Sequence, residues 1–234
     1  MDDWDRNCGR RWLFDRVSRP REVVVIGGGG FGREVAQLLR DLETASGEYH
    51  FAGYLDSNPN ASLNIGHGET LLGSDEDFAG WHDVLAVCAI ANSKLRRTVV
   101  ERLEPRGAEW ATLLHPTAIV GARTKVGAGS VICAGTVITT DVSIGRHVHV
   151  NLLCTVGHDA GIEDYATLSP GCGVSGSARI GSGAFLGTQA VLLPGAHVGA
   201  GSVVGAGSVV LKRVPPGTTV VGVPAKQIHS VETD

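Results

Sequence analysis

The chain has 234 residues, a hydrophobic fraction of 43% and a formal net charge of −4 from 20 basic and 24 acidic residues. This content can form a sizeable core, and the balanced charge offers no electrostatic footprint for nucleic acid, which we exclude as a partner. No apolar run approaches the roughly 18 residues of a membrane span, and five cysteines without a C-x-x-C pair favour a reducing, cytoplasmic setting.

Two kinds of segment open the chain. Residues 1–21 are too charged for a signal peptide, and we expect them to form a flexible extension. The stretch VVVIGGGGFGREVAQLL, from Val23 to Leu39, predicts a buried strand, a glycine turn and an amphipathic helix.

The glycine turn has two interpretations. Gly27, Gly29 and Gly32 match G-x-G-x-x-G, and Asp56 follows 24 residues after the last of them, near the end of a second apparent strand. These glycines either only permit a tight turn or leave a helix N-terminus open to an anion. By itself the motif is a weak indication of a dinucleotide site.

Three later stretches predict the rest of a short parallel sheet: VLAVCAI as a strand, NSKLRRTVVERLEP as a helix and EWATLL as a strand. Only about 90 residues separate Arg21 from Leu113, which leaves no room for the second mononucleotide half of a full NAD domain. An NAD-dependent oxidoreductase is therefore disfavoured.

A six-residue period governs the second half of the chain. Every sixth residue from Val120 to Val210 is a branched aliphatic, and the residue four places after each is Ala, Ser, Thr, Cys or Val. One large and one small inward position per six residues predicts a parallel β-helix with one strand and one corner per repeat. Three repeats make a triangular coil, so Val120 to Pro215 predicts about five coils.

Glycine follows many of these aliphatics directly, as at Gly157 and Gly187. We interpret these glycines as corner residues with unusual backbone angles. No insertion interrupts the period, so the faces are expected to carry no protruding loop.

The sequence TVGHDAGIE places a titratable pair, His158 and Asp159, in this apolar half. In the predicted register His158 lies near a corner, with Thr140 and Gly176 one coil away on either side. Acyl transfer needs a base and a hydrogen-bond donor for the oxyanion, and histidine titrates in a range that suits the first task. Asp159 is suited to fix the tautomer of the imidazole, and the backbone N–H of Gly176 is suited to the oxyanion.

The remaining histidines and cysteines of the repeat region lack such support. We interpret His147, His149 and His197 as solvent or interface residues. Cys154 and Cys172 fall in the small inward column and are expected to fill the core.

The chain after residue 21 resembles the sialic acid O-acetyltransferase / nucleotide-aminosugar N-acetyltransferase family of hexapeptide-repeat acyltransferases. The resemblance rests on the landmarks IGGGGFGREV, AIANSKLRR, HPTAIVG, NLLCTVGHD and VVGVPAK. It implies a small Rossmann-like domain at residues 22–113 (α/β) and a left-handed parallel β-helix (β) at residues 114–234. It also implies a homotrimer with sites between subunits, acetyl-CoA as acyl donor and no metal.

The resemblance also implies roles for individual residues. His158 is the general base, Asp159 assists it, and Gly176 offers an amide to the acyl group. The residues implied to hold the acceptor are Gly27, Gly29, Gly30, Phe31, Gly32, Asp56 and Ser57, with Asp56 on the base of a nucleotide. Those expected to contact CoA are Gly176, Gly205, Ala206 and Gly207, and Lys212 is a candidate for the CoA phosphates.

One departure concerns the acceptor. Amino-sugar N-acetyltransferases of this type often carry histidine after the glycine run, where this chain has Phe31. The sequence thus predicts acetyl-CoA-dependent N-acetylation of a nucleotide-linked amino sugar, with O-acetylation of a sugar such as sialic acid as the alternative. A non-catalytic β-helix scaffold is a third possibility.

Overall fold

The computed structural model describes residues 20–58, 60, 69–78 and 81–230. The flexibility expected for residues 1–21 thus concerns a segment that lies, up to residue 19, outside the described residues. Arg21 itself already belongs to the first strand.

The N-terminal part is a five-stranded parallel sheet with the order β3-β2-β1-β4-β5. Apolar clusters cover both of its faces, which explains why VVVI in the central strand is completely buried. The helices begin and end at recognisable signals: the Asn92 side chain accepts a hydrogen bond from the Leu95 amide, and Gly47 closes the first helix at φ 66°. The elements are β1 Arg21–Ile26, α1 Gly30–Ser46, β2 Tyr49–Leu55, β3 Leu71–Gly73, β4 Val84–Cys88, α2 Ser93–Leu103 and β5 Glu109–Trp110.

Short strands at six-residue intervals make up the rest of the chain. They are β6 Leu113–Leu114, β7 Ile119–Val120, β8 Lys125–Val126, β9 Val131–Ile132, β10 Val137–Ile138, β11 Ser143–Ile144, β12 His149–Val150, β13 Thr155–Val156, β14 Gly161–Ile162, β15 Thr167–Leu168, β16 Gly173–Val174, β17 Arg179–Ile180, β18 Phe185–Leu186, β19 Val191–Leu192, β20 His197–Val198, β21 Val203–Val204, β22 Val209–Val210, β23 Arg213–Val214, β24 Thr218–Val221 and β25 Lys226–Ser230.

These strands stack into three parallel sheets that form a left-handed β-helix with a triangular section. The covered face (β6, β9, β12, β15, β18, β21, β24) packs against the N-terminal sheet and is extended by the antiparallel β25. The apolar face consists of β7, β10, β13, β16, β19 and β22. The basic face consists of β8, β11, β14, β17, β20 and β23.

The predicted inward columns are confirmed. From Ile132 to Val210 the large aliphatics are buried in one cluster inside the prism, and the small column beside them is buried as well. Cys154 and Cys172 stack in this column, each with no exposed surface. The fold class predicted from the sequence, a small α/β domain before a left-handed β-helix, is therefore confirmed.

The interpretation of the glycines that follow the aliphatics was wrong. The left-handed backbone occurs two residues later, at φ values such as 60° for Asp141 and 59° for Asp159, whereas Gly157 and Gly187 have no positive φ. Their reason is space: a Cβ on Gly187 would lie 2.6 Å from the amide nitrogen of Ala206 in the next coil. Coils stack too closely here for any side chain.

Two further expectations are corrected. The stretch EWATLL is two strands rather than one, because β5 ends the N-terminal sheet and β6 starts the β-helix. The period also shortens at its end: Arg213 pairs with His197, 16 residues earlier, whereas Arg179 pairs with Gly161, 18 residues earlier. Val214 therefore occupies a large inward position, four residues after Val210.

Two histidines are buried in the contact between the two parts of the chain. His147 is completely buried and His149 is 1% exposed, so of the two alternatives given for them, solvent or interface, the first is wrong for both. They lie beneath the N-terminal sheet, which covers this part of the prism. His197, on the basic face, is exposed as expected.

Candidate active site

His158 and Asp159 lie at the corner between β13 and β14, the edge shared by the apolar and basic faces. The Nδ1 atom of His158 is 2.8 Å from Oδ2 of Asp159, and both side chains are largely exposed, at 66% and 59%. Asp159 occupies the left-handed corner position (φ 59°), which aspartate tolerates better than most residues. Arg179 crosses from the next coil and donates a hydrogen bond to the Asp159 carbonyl.

Gly176 stands directly against the imidazole, one coil further along. A Cβ added to Gly176 would lie 2.7 Å from Nε2 of His158, so no other residue fits here without moving the ring. Within the described ranges the Gly176 amide donates no hydrogen bond. An imidazole nitrogen and a backbone amide without an acceptor therefore lie in adjacent residues of neighbouring coils at this edge.

A shallow cleft of about 380 Å³ lies beside this corner on the basic face. Its walls include Asp141, Asp159, Glu163 and Arg179. Gly161 has no side chain at the point where Arg179 passes, and an added Cβ would approach the Arg179 side chain to 3.0 Å. Because three carboxylates and one guanidinium line this cleft, its charge is mixed rather than basic.

A second cleft, of about 470 Å³, opens at the carboxyl ends of β1, β2 and β4. The strand order reverses between β1 and β4, which is where open α/β sheets bind ligands. We call it the acceptor cleft. Of the residues implied to hold the acceptor, it is lined by Gly27, Gly29, Gly30, Phe31, Asp56 and Ser57.

The glycine turn beside the acceptor cleft is held by the Asp56 carboxylate. Its Oδ2 accepts the amide of Gly28 at 2.7 Å and its Oδ1 accepts the amide of Asn58 at 2.8 Å. Gly32 does not line the cleft; a Cβ there would lie 1.9 Å from the Gly27 carbonyl oxygen, so it allows α1 to approach β1. Gly29 and Gly30 face open space at the N-terminus of α1.

The sequence reasoning missed the opposite wall of the acceptor cleft. This wall is formed by Ala89, Ile90 and Ala91 after β4 and by Leu95 on α2, with Asp75 and Arg102 paired at the rim. The available signal was topological, because the loops after neighbouring parallel strands converge on one edge of the sheet.

The residues expected to contact CoA do not all lie beside His158 in one chain. Gly205, Ala206 and Gly207 form a corner between the covered and apolar faces, a different edge of the prism. Of the three, only Ala206 has an amide without an acceptor among the described residues, since Gly205 donates to Val220 and Gly207 to Thr188. Lys212 is exposed, and the shortened last repeat shifts it out of the column of His158 and Gly176.

The acceptor cleft is also remote from His158 of the same chain. The N-terminal sheet packs on the covered face, and the His158 corner is the edge opposite that face. One protomer therefore does not unite the two halves of the candidate site.

The described residues contain neither a membrane-spanning helix nor a cluster of metal ligands. None of the helices in these ranges is both long and apolar enough to cross a membrane. Residues 20–58, 69–78 and 81–230 contain no group of three or more His, Cys, Asp or Glu side chains placed to hold a metal ion.

A small α/β domain before a left-handed β-helix is the architecture of the hexapeptide-type acyltransferases, and similar proteins show the same class. Residues 22–103 match the PglD N-terminal domain, and residues 177–212 match the bacterial transferase hexapeptide (six repeats). GDP-perosamine N-acetyltransferase of Escherichia coli O157:H7 is 33% identical over 167 residues, 68% of this chain and 75% of that protein.

Solved structures agree with this class. The acetyltransferase domain of PglB from Neisseria gonorrhoeae FA1090 is 32% identical, with a TM-score of 0.81 over 89% of this chain and 100% of that one. PerB from Caulobacter crescentus, in complex with CoA and GDP-perosamine, is 29% identical, with a TM-score of 0.81 over 89% and 97%. The chain belongs to the hexapeptide-repeat acyltransferases with a PglD-type N-terminal domain, as the landmarks in its sequence indicate.

Proposed function

We propose that this protein transfers an acetyl group from acetyl-CoA to the amino group of a nucleotide-linked sugar. The observation that carries the proposal is the contact between the His158 imidazole and the Gly176 backbone at an exposed corner. The similar proteins named above support the donor and the acceptor class, because PglB was solved with acetyl coenzyme A and PerB with CoA and GDP-perosamine.

The geometry supports direct transfer without a covalent enzyme intermediate. The acceptor nitrogen attacks the thioester carbonyl while Nε2 of His158 takes its proton, and the same proton then leaves with the CoA thiolate. Asp159 accepts the hydrogen bond of Nδ1–H and stabilises the imidazolium. In this mechanism the Gly176 amide donates a hydrogen bond to the carbonyl oxygen as negative charge develops. The described cysteines are buried, and Cys154 and Cys172 lie inside the prism, away from this corner.

The apolar face supports a homotrimer. Its outward side chains carry no charge, whereas Lys125, Arg179 and Arg213 point outward on the basic face. The outward residues of the apolar face are Ile119, Val137, Thr155, Gly173, Val191 and Val209.

If three prisms turn these faces towards a common axis, the prism edge that carries His158 in one subunit runs alongside the edge that carries Ala206 in the next. The residues expected to contact CoA, separate in one chain, then line one groove. The catalytic pair of one subunit also comes nearer the acceptor cleft of its neighbour.

N-acetylation is favoured over O-acetylation of a sugar. GDP-perosamine N-acetyltransferase of E. coli O157:H7 transfers to nitrogen by name. So does UDP-N-acetylbacillosamine N-acetyltransferase of Bacillus subtilis (strain 168), which is 34% identical over 125 residues, 49% of this chain and 52% of that protein. Phe31 remains a departure from the histidine often found in such enzymes, and it bears on which sugar is accepted.

The decisive experiment incubates the protein with acetyl-CoA and a panel of acceptors and measures thiol release. The panel contains GDP-perosamine, UDP- and dTDP-linked amino sugars, and free sialic acid. Turnover of a nucleotide-linked amino sugar is expected, and turnover of sialic acid alone would overturn the proposal.

His158→Ala is expected to lower kcat about 100-fold or more, because the proton has no acceptor in its place. The matched control is His197→Ala, an exposed histidine on the basic face, which is expected to retain full activity. Loss of activity in both variants would show that the effect does not come from the base.

A further inference from the structure

A buried histidine of the β-helix supports the acceptor cleft by packing against the residues that form it. His149 is the outward residue of β12 on the covered face, and it is 1% exposed because the N-terminal sheet packs over it. Its Nδ1 lies 3.1 Å from Nη1 of Arg96, and its Nε2 lies 3.0 Å from the Cys88 carbonyl oxygen.

These two partners fix the protonation state of the ring. Arginine can only donate and a carbonyl can only accept, so Nδ1 must be bare and Nε2 must carry the proton. The neutral Nε2–H tautomer is the one form that satisfies both contacts. His149 therefore holds Arg96 and Cys88 in fixed positions and does not act as an acid or a base.

Arg96 links His149 to the wall of the acceptor cleft. It is completely buried, and it donates to the carbonyl oxygens of Ile90 (2.7 Å) and Ala91 (3.2 Å) on one side. On the other side it donates to the carbonyl of Tyr165 (2.6 Å) and the hydroxyl of Thr167 (2.9 Å) in the β-helix. A buried guanidinium is tolerated only with such partners, so its position is tightly determined.

His149 and Arg96 together contact both sides of the acceptor cleft. The Phe31 ring lies against the His149 ring, with centroids 4.7 Å apart and planes inclined by 42°. Ala89, Ile90 and Ala91 follow directly after Cys88, whose carbonyl His149 holds. Phe31 and this segment present apolar side chains to the cleft.

We infer that His149 is a positioning residue for the acceptor: through Phe31 and the segment from residue 89 to 91, it sets the apolar walls against which the nucleotide-linked sugar binds. The inference rests on the proposed function for the identity of that ligand. It assigns to the β-helix, whose opposite edge carries the catalytic pair, a second task in the shape of the acceptor cleft.

Three variants separate the hydrogen bonds of the His149 ring from its packing against Phe31. His149→Leu removes both hydrogen bonds and the ring, His149→Gln keeps a donor and an acceptor, and His149→Phe keeps the ring packing. The KM for the acceptor is expected to rise about tenfold in His149→Leu and about threefold in each of the others, with kcat and the KM for acetyl-CoA changed less than about twofold. His197→Leu serves as the exposed control.

An unchanged acceptor KM in all three variants would overturn the inference, as would an equal rise in the KM for acetyl-CoA. If His149→Leu does not fold, His149→Gln and His149→Phe decide the question by the same criteria. The acceptor used is whichever nucleotide-linked amino sugar the wild-type enzyme turns over.

Hydrogen exchange gives a readout that needs no substrate. In His149→Leu the amides of residues 28–33 and 89–92 are expected to exchange faster, while those of β16 to β22 stay as protected as in the wild type. Unchanged exchange at the cleft would contradict the inference even if no acceptor is found. Faster exchange with no turnover of any nucleotide sugar by the wild type would instead count against the proposed function alone.

Discussion

His147 is a buried imidazole that is held by rings alone. Its ring stacks on Tyr165 at 5.3 Å and meets Trp110 edge-on at 4.8 Å, and neither ring nitrogen has a hydrogen-bond partner in the described part of the chain. Burial, together with the charges of Arg146 and Arg96, lowers the pKa of His147 from 6.5 to about 3. Burial likewise lowers the pKa of His149 well below 6.5.

These two shifts predict a loss of stability in mild acid. Both histidines stay neutral in the folded chain, whereas the unfolded chain protonates them as the pH falls through 6.5. Neither histidine therefore makes stability depend on pH above 6.5, and below it each lowers the free energy of unfolding by up to about 1.4 kcal/mol per pH unit. Thermal unfolding between pH 7.5 and 5 is expected to show a steep fall in Tm.

His147→Phe is the variant that tests this explanation. It keeps the ring contacts, removes two unpaired nitrogens and abolishes one titration, so its Tm is expected to fall less between pH 6.5 and 5. His197→Phe, at an exposed site, should retain the wild-type slope. An identical slope in all three proteins would contradict the assignment.

The histidines of the β-helix show how much a sequence reveals about single positions. His158 and Gly176 were placed together because an 18-residue coil fixes which residues stack, whatever surrounds them. The sequence left His147 and His149 open as solvent or interface residues, because neither a corner position (His147) nor an outward strand position (His149) reveals what packs over it. That information lies in the contacts with distant segments, here β5 for His147 and β4 and α2 for His149.

At the scale of elements, the coils stack so closely that some positions exclude a side chain. Gly187→Ala places a Cβ 2.6 Å from the backbone nitrogen of Ala206, where only a backbone shift can make room. We expect a loss of about 1–3 kcal/mol in the free energy of unfolding. The measurement is chemical denaturation.

A matched control is available in the same place of another repeat. Ser175 already carries a side chain there, so Ser175→Ala is expected to change the free energy of unfolding by less than about 0.5 kcal/mol. Equal effects of the two substitutions would show that coil spacing is not the cause.

The strands of the β-helix were predictable because one period repeats without interruption, and each repeat poses the same packing problem. The exceptions occur where the period meets something else. EWATLL divides between two sheets because its ends pair with different partners, β4 and β9. The last coil shortens by two residues where the chain leaves the prism, and no residue before Val210 announces this.

At the scale of the whole molecule, the proposed shared site predicts complementation between inactive variants. His158→Ala removes the base, and Asp56→Ala removes the carboxylate that holds the glycine turn at the acceptor cleft. If each site combines one subunit's corner with its neighbour's cleft, an equal mixture refolded or co-expressed should recover about a quarter of wild-type activity.

Size-exclusion chromatography with light scattering must show the same assembly for both variants and the mixture. Simple mixing of preformed assemblies, without subunit exchange, is the control and should stay inactive. No recovery in co-assembled protein would mean that base and acceptor cleft act within one chain or that the trimer is arranged differently.

The final strand has a consequence for solubility. A stack of parallel strands ends in a row of unpaired backbone groups, which can template the addition of another molecule. On the covered face β25 runs antiparallel to β24 and occupies that row, with a register shift between Thr219 and Val220. A truncation that removes β25 would expose the backbone groups of β24 to other molecules. Filament growth or turbidity would be the observable result.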